Sequence, residues 1–401
     1  MKKINFLLKK IAFCCLFAAS FTAYANEPDG VFILNQGSFG MSNASLGFYD
    51  FGTATLQSDI ANGELGDTGQ DLLIYNSKLF VTLNGSSNIT VFDAESHAFL
   101  QRIPLFDGSN PREPRYMAAQ DGKIYVSCYD RMNGGSVLRI NATSYEIEAR
   151  AQVGEYPEGL AVSGGKLYVA NSGGQSATYG NSVSVIDLAT FTETERITVG
   201  VNPYIIKTDG EGNLFLTYQG NWVDVPGGFQ RINTADNSVT ELGTSPRQDF
   251  ELQGGFIYFY DVDYSLSWTG DKRYGKYDIA NNRFSELLNA SQIDETPYGI
   301  GVNPKNGDIY IADSDFFNPG TVTIFNANGE LQNRLNNVGI NPCKFAFYFG
   351  NGGSGIDDTE MNAERVAVAY YSILGVKLNQ EPEKGLYIIL YDNGTTEKRM
   401  R

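Results

Sequence analysis

Apolar and polar positions along this chain alternate in short runs that recur with small changes. "GGKLYVANSGG" at Gly164 to Gly174 is matched by "DGKIYVSCYD" from Asp121, "EGNLFLTYQG" from Glu211, "GGFIYFYDVD" from Gly254 and "NGDIYIADSD" from Asn306, with "NSKLFVTLNG" earlier, from Asn76. Each phrase is a glycine, aspartate or asparagine turn, then an aromatic and β-branched run, then a polar loop. That pattern predicts a strand entered by a tight turn.

A second phrase follows each first one: apolar, any residue, apolar, then Asp or Asn and a turn. It reads "LGFYDFGT", "ITVFDAES", "VLRINATS", "VSVIDLAT", "FQRINTAD", "GKYDIANN" and "VTIFNANG". Its acidic or amide residues are Asp50, Asp93, Asn141, Asp187, Asn233, Asp278 and Asn326, spaced by 43, 48, 46, 46, 45 and 48 residues. Short Asp and Asn side chains suit that place because they bond the local backbone and tolerate tight turns. A third phrase, such as "VGEYPEGLAV", "VGVNPYIIK", "TSPRQDFEL", "DETPYGIGV" or "VGINPCKFAF", feeds a proline into a short apolar strand. Proline is tolerated at a strand's first residue, before a ladder donor is needed.

Each unit therefore reads as four short strands, and a repeat of that length predicts an all-β, seven-bladed β-propeller. The first unit lacks an inner strand, and "CKFAFYF" (Cys343 to Phe349) stands alone after the last full repeat. The two pieces are expected to form one composite blade that removes exposed edges. "GNGGSG", residues 350–355, reads as a linker, and 356–401 as a small C-terminal β appendage of three short strands.

Composition supports strands over helices: 25 Phe, 24 Tyr and 44 Gly. Residues 1–25 read as a signal peptide, with a basic start ("MKKINFLLKK"), an apolar stretch ("IAFCCLFAASF") and a small-residue cleavage site ("AYA"). Phe13 before Cys14 does not fit a lipoprotein signal. The propeller is then 26–349, exported to the cell surface or secreted. Removing four leader lysines takes the net charge from −16 to −20, which argues against nucleic acid as a partner. Cys128 and Cys343 sit in distant repeats and are expected to be two buried thiols.

Catalytic patterns are scarce. The single histidine, His97, lies in a turn and reads as a surface residue. "DVD" (Asp261, Asp263) and "DSD" (Asp313, Asp315) offer too few oxygens for calcium and read as solvated loop acids. No cofactor or metal is implied, and the chain reads as a non-enzyme.

The loops after the "LYV" strands carry most of the remaining signal. In a propeller they share a face with the loops joining successive blades, and here they hold both tryptophans and many aromatics, whereas the opposite face is nearly bare of them. The ligand-binding candidates are Trp222, Trp268, Tyr129, Tyr179, Tyr264 and Phe316, with Arg115 and Arg247. Aromatics with polar tips beside Asn, Gly and Arg make adaptable recognition surfaces. About half of these aromatics are expected to cap blade cores instead.

"VFILNQGSFGMSNASLGFYDFGT", "GDTGQDLLIYNSKLFVTLNGSSNITVFD", "YPEGLAVSGGKLYVANSGG" and "NSVSVIDLATFTETERITVGVNP" resemble the YncE-like, DUF5074-type seven-bladed propellers of Bacteroidetes, over residues 30 to 349. Within that group the chain is similar to BtuG-type surface proteins. The resemblance implies capture of cobalamin and related corrinoids, and hand-over to an outer-membrane transporter. Other members imply a surface-layer or adhesion-type module that binds a protein or a glycan, and some seven-bladed propellers are lactonases. BtuG-type proteins are lipoproteins, which this leader does not match. The tail, "YYSILGVKL", "KGLYIILYDNG" and "EKRMR", resembles a type IX secretion sorting domain, shorter than a full one.

Overall fold

The computed structural model describes residues 28–174, 178–263, 270–288 and 290–350, and beyond them 367–372, 377–378, 380–382, 384, 386–391 and 396–400. The signal-peptide reading and the linker beyond Gly350 fall outside these residues. Between residues 30 and 348 lie seven four-stranded antiparallel sheets, six of them formed by strands consecutive in sequence. These six run over 69–104, 114–152, 157–198, 203–243, 250–286 and 296–335. The arrangement is all-β and propeller-like.

The seventh sheet joins both ends of this region. Its strands stand in the order Thr55–Gln57, Ser45–Asp50, Gly30–Asn35 and Pro342–Tyr348, with Phe32 opposite Ala346. The Asp29 amide donates to the Tyr348 carbonyl at 2.7 Å, and the Gly350 amide to Asp29 Oδ2 at 2.9 Å. Sequence alone placed "CKFAFYF" in this sheet, and it is there. A further four-stranded sheet holds Ala367–Ser372, Lys377–Leu378, Leu386–Tyr391 and Thr396–Met400. Among the described residues the tail thus has four strands instead of the expected three, one of them only two residues long.

The recurring turn residues act as the pattern implies. Asp50 accepts from the Thr53 amide at 2.7 Å, Asp93 from Ser96 at 2.8 Å, Asp187 from Thr190 at 2.8 Å and Asn141 from Ser144 at 3.0 Å. Those backbone donors hold the three carboxyls below the ordinary range, because they bond the charged form.

Each sheet has two apolar faces, so it must be covered on both sides. The apolar clusters accordingly bridge neighbouring sheets. Phe32 and Leu46 of the composite sheet pack with Leu79 and Val81 of the next, while Val31 and Ile33 pack on its other side with Tyr310 and Val322. The inner strands also touch one another in turn, Pro342–Tyr348 against Gly69–Tyr75 and Thr296–Val302. Approach there is close. A Cβ on Gly159 would sit 2.8 Å from the Tyr204 carbonyl, and one on Gly299 2.6 Å from the Cys343 carbonyl.

Cys128 and Cys343 are buried and unpaired, as the sequence predicts. Burial pushes the Cys343 thiol up to about 12.

Candidate functional site

The inner strands share a local irregularity. Their pairing with the neighbouring strand slips at Gly69/Asp71, Pro114/Met117, Pro157/Leu160, Pro203/Ile206 and Pro297/Gly299, and the pairing of Leu34 and Asn35 slips opposite Lys344 and Pro342. Such bulges leave backbone groups unpaired and re-aim side chains. The hydroxyl that ends several first phrases satisfies those groups. Thr82 Oγ1 donates to the Arg115 carbonyl at 2.8 Å, Ser127 Oγ accepts from the Tyr116 amide at 3.1 Å, and Thr217 Oγ1 accepts from the Ile205 amide at 3.1 Å.

Near these bulges, polar residues of neighbouring inner strands come together. Arg115 Nε donates to Glu158 at 2.8 Å and Nη1 donates to Gln70 Oε1. Tyr129 donates its hydroxyl to Glu158 at 2.6 Å, and its ring stacks 4.8 Å from the Arg115 guanidinium. Burial raises the Glu158 carboxyl, and Arg115 only partly offsets it. Tyr116 and Tyr204 join their hydroxyls at 2.8 Å.

A second network lies beside the first. Lys344 Nζ is 2.5 Å from Asp249, and Lys207 Nζ is 3.7 Å from Asp249 and 2.8 Å from Glu251. Burial alone would raise Asp249, but the two ammonium groups outweigh it and hold the carboxyl below its ordinary range. Asp71 accepts from the Met117 amide at 2.8 Å, and burial pushes it up to about 6 against the pull of Lys344.

Of these residues, Gln70, Tyr116, Tyr204, Asp249 and Lys344 line a cavity of about 220 Å³ whose mouth lies at one end of the inner strands. Tyr116, Tyr204, Tyr260 and Tyr298 line it with rings and hydroxyls, and Gln36, Gln70, Gln219 and Gln248 with amides. Trp222 and Phe316 form part of its wall and are 54% and 44% exposed. Phe39, Met41, Met132, Val223 and Phe317 project from second-to-third-strand loops, the class of loop that also carries Trp222 and Phe316, at 67% to 89% exposure.

The sequence candidates divide accordingly. Trp222 and Phe316 reach the mouth. Arg115 and Tyr129 meet each other beside it, with Tyr129 turned onto Glu158 instead of outward. Arg247 is held by Asp261 at 3.2 Å. Tyr179 is half-buried and does not line the cavity. Tyr264 and Trp268 lie outside the described residues.

Two readings of the acids and the histidine need correction. Asp261 and Asp313 are buried strand residues at 1% and 3% exposure, not solvated loop acids. Asp261 balances Arg247, and Asp313 accepts from the Thr321 amide at 3.2 Å. Asp315 behaves as a loop acid, accepting from the Asn318 amide at 2.7 Å. His97 is half-buried: its ring lies 4.7 Å from Phe48 and 5.3 Å from Phe32, and the desolvation lowers its pKa. Among the described residues no cluster of three or more His, Cys, Asp or Glu converges as a metal site.

Glu158, Asp249, Asp71, Lys344 and the mouth glutamines were missed from sequence. Their signal is a polar residue at the start of an otherwise apolar strand: "PEGLAV", "QDFEL", "GQDLLIY", "PCKFAF".

Comparison with known proteins gives fold and family. The chain is similar to hydrazine synthase of Kuenenia stuttgartiensis, at 14% identity and a TM-score of 0.55, covering 83% of this chain and 95% of that one. A functionally unknown protein of Desulfotomaculum acetoxidans is 10% identical with a TM-score of 0.57, over 80% of this chain and 100% of that one. A candidate 6-phosphogluconolactonase of Bacteroides uniformis is 12% identical with a TM-score of 0.56, over 80% and 99%. At these identities the likeness is one of fold. No curated protein matches. The family model described as "Domain of unknown function (DUF5074)" matches residues 29–348, the same span as the seven sheets, and the chain belongs to that family.

Proposed function

We propose that this chain is an exported, non-enzymatic binding protein. In this reading it is a seven-bladed propeller, closed through its composite sheet, that captures a ligand on the loop face around the axial mouth. The observation that carries the reading is the concentration of exposed apolar tips there. Phe39, Trp222, Val223 and Phe317 stand on loops around a mouth lined by tyrosine hydroxyls and glutamine amides. Among the described residues, none of the exposed large hydrophobics falls in the hairpin turns of the other face.

The specific ligand we put forward is a corrinoid, passed on to an outer-membrane transporter, with the tail serving as a sorting signal. A corrin ring has apolar faces and a rim of carboxamides, which suits apolar loop tips and amide-bearing walls. The cavity of about 220 Å³ is too small for the whole macrocycle, so the ring rests on the loops and only a side arm enters. Isothermal titration with cyanocobalamin and cobinamide tests this. Stoichiometric binding that weakens in Trp222→Ala supports capture on this face. Absence of heat with both ligands removes the corrinoid and leaves a surface protein or glycan as the partner.

A further inference from the structure

The cavity at the axial mouth has a chemistry of its own. The two charged groups that line it are paired with each other, Lys344 with Asp249, and beside it Lys207 holds Glu251, Arg115 holds Glu158 and Arg247 holds Asp261, while Asp71 is bonded by the Met117 amide. Breaking such a buried pair to receive an ionic ligand is costly, because it strands the other charge. What the walls still offer is neutral. Among the described residues, the Tyr260 hydroxyl and the Gln219 amide have no partner within the chain. Gln36 and Gln70 each use only the amide oxygen, accepting from Tyr298 at 2.6 Å and from Arg115. Tyr260 is 6% exposed, so its hydroxyl is a desolvated group facing a cavity.

The remaining wall is apolar. The Trp222 and Phe316 rings reach the cavity, and Phe316 is braced edge-on against Tyr298 at 5.5 Å. The size is also decisive. A cavity of about 150 Å³ accepts a benzene ring, so about 220 Å³ takes one six-membered ring with substituents.

We propose that the axial mouth binds one uncharged, hydroxylated or N-acylated pyranose residue, its apolar ring face against Trp222 and Phe316 and its polar groups bonded by Tyr260, Gln36, Gln70 and Gln219. This rests on the mouth being the ligand site, and not on the ligand being a corrinoid. Uronic acids and unacylated amino sugars are rejected, because the charges that line the cavity, Lys344 and Asp249, already neutralise each other.

The test is titration of the whole protein with glucose, galactose and N-acetylglucosamine, and in parallel with glucuronate and glucosamine, followed by NMR line shifts and tryptophan fluorescence. At least one neutral sugar is expected to give saturable shifts, with the charged pair at least about tenfold weaker. Trp222→Ala and Tyr260→Phe each weaken the response while leaving the unfolding midpoint of the protein in place. Saturable binding of glucuronate or glucosamine as tight as the neutral forms overturns the proposal, as does the absence of response to every neutral sugar. Corrinoid titrations run beside these separate the two readings. A protein that binds cobinamide but no sugar refutes this inference alone, and one that binds a sugar but no corrinoid refutes only the corrinoid.

Discussion

Arg115 and Glu158 stand on successive inner strands, 43 residues apart in sequence, and meet at 2.8 Å with 13% and 6% of their side chains exposed. Their pair ties two sheets together, with the Tyr129 hydroxyl as third member. Removing one partner from a buried pair strands a charge and costs about 3–5 kcal/mol. Glu158→Gln and Arg115→Met are each expected to lower stability by about that much in urea unfolding. The double variant loses less than the two single losses added, and strict additivity would show that the pair is not coupled.

Asp71 gives a pH dependence of known sign. Its folded pKa, about 6, lies above the ordinary carboxylate value, so the folded protein prefers the protonated form. The stability this confers is fully present below about pH 4 and is lost as pH rises through 6. Asp71→Asn is therefore expected to be more stable than wild type at pH 8, by up to on the order of 2 kcal/mol, and equal to it near pH 4. Denaturant melts at the two pH values decide it. An Asp71→Asn variant equally destabilised at both would place the role of the carboxylate in its bond to Met117.

His97 runs the other way. Contact with Phe32 and Phe48 desolvates the imidazole and lowers its pKa, so the fold favours the neutral ring. Its contribution is present above the ordinary value of about 6.5 and is lost as pH falls from there through the folded value. The sequence has 1 His, so a single imidazole resonance reports it directly in NMR. A midpoint below 6.5 is expected, moving up on unfolding. His97→Asn, which tolerates the backbone φ of 60° there, removes the corresponding slope in stability.

Gly159 tests the packing of the inner strands. A methyl group there meets the Ile206 amide and Tyr204 carbonyl, both at 2.8 Å, and backbone cannot step aside as a side chain can. Gly159→Ala is expected to cost about 1–3 kcal/mol by overpacking. Gly52→Ala, whose added atom comes no closer than 3.4 Å to Asp50, serves as the neutral control. Equal melting temperatures for the two variants would show that the inner strands have room to spread.

The repeats were legible because they rest on local rules. "KLYV" alternates for a strand, and Asp187 sits where a turn needs a side-chain acceptor, so the elements and even the composite sheet follow from the chain. The site was harder to read. Glu158 and Asp249 stand at the start of strands that otherwise look like core; the bulge at Pro157/Leu160, set by pairing with the next strand, re-aims Glu158, and Asp249 lies just ahead of the first paired residue, Phe250. Tyr129 misled in the opposite sense. It lies on a loop rich in exposed residues, yet a guanidinium from one strand and a carboxylate from another draw it inward. Such meetings are made between neighbouring repeats, and no spacing within one repeat encodes them.

The composite sheet also fixes where attachments leave the protein. Gly30–Asn35 runs toward Gln36 at the mouth, and Pro342–Tyr348 runs away from it, so Asp29 and Gly350 lie side by side at the far end of the sheet. A tether joined at either place starts from the face opposite the mouth. If the protein is moored through either place, as the proposed export to a surface requires, the attachment point lies on the side away from the mouth and leaves the mouth uncovered by it.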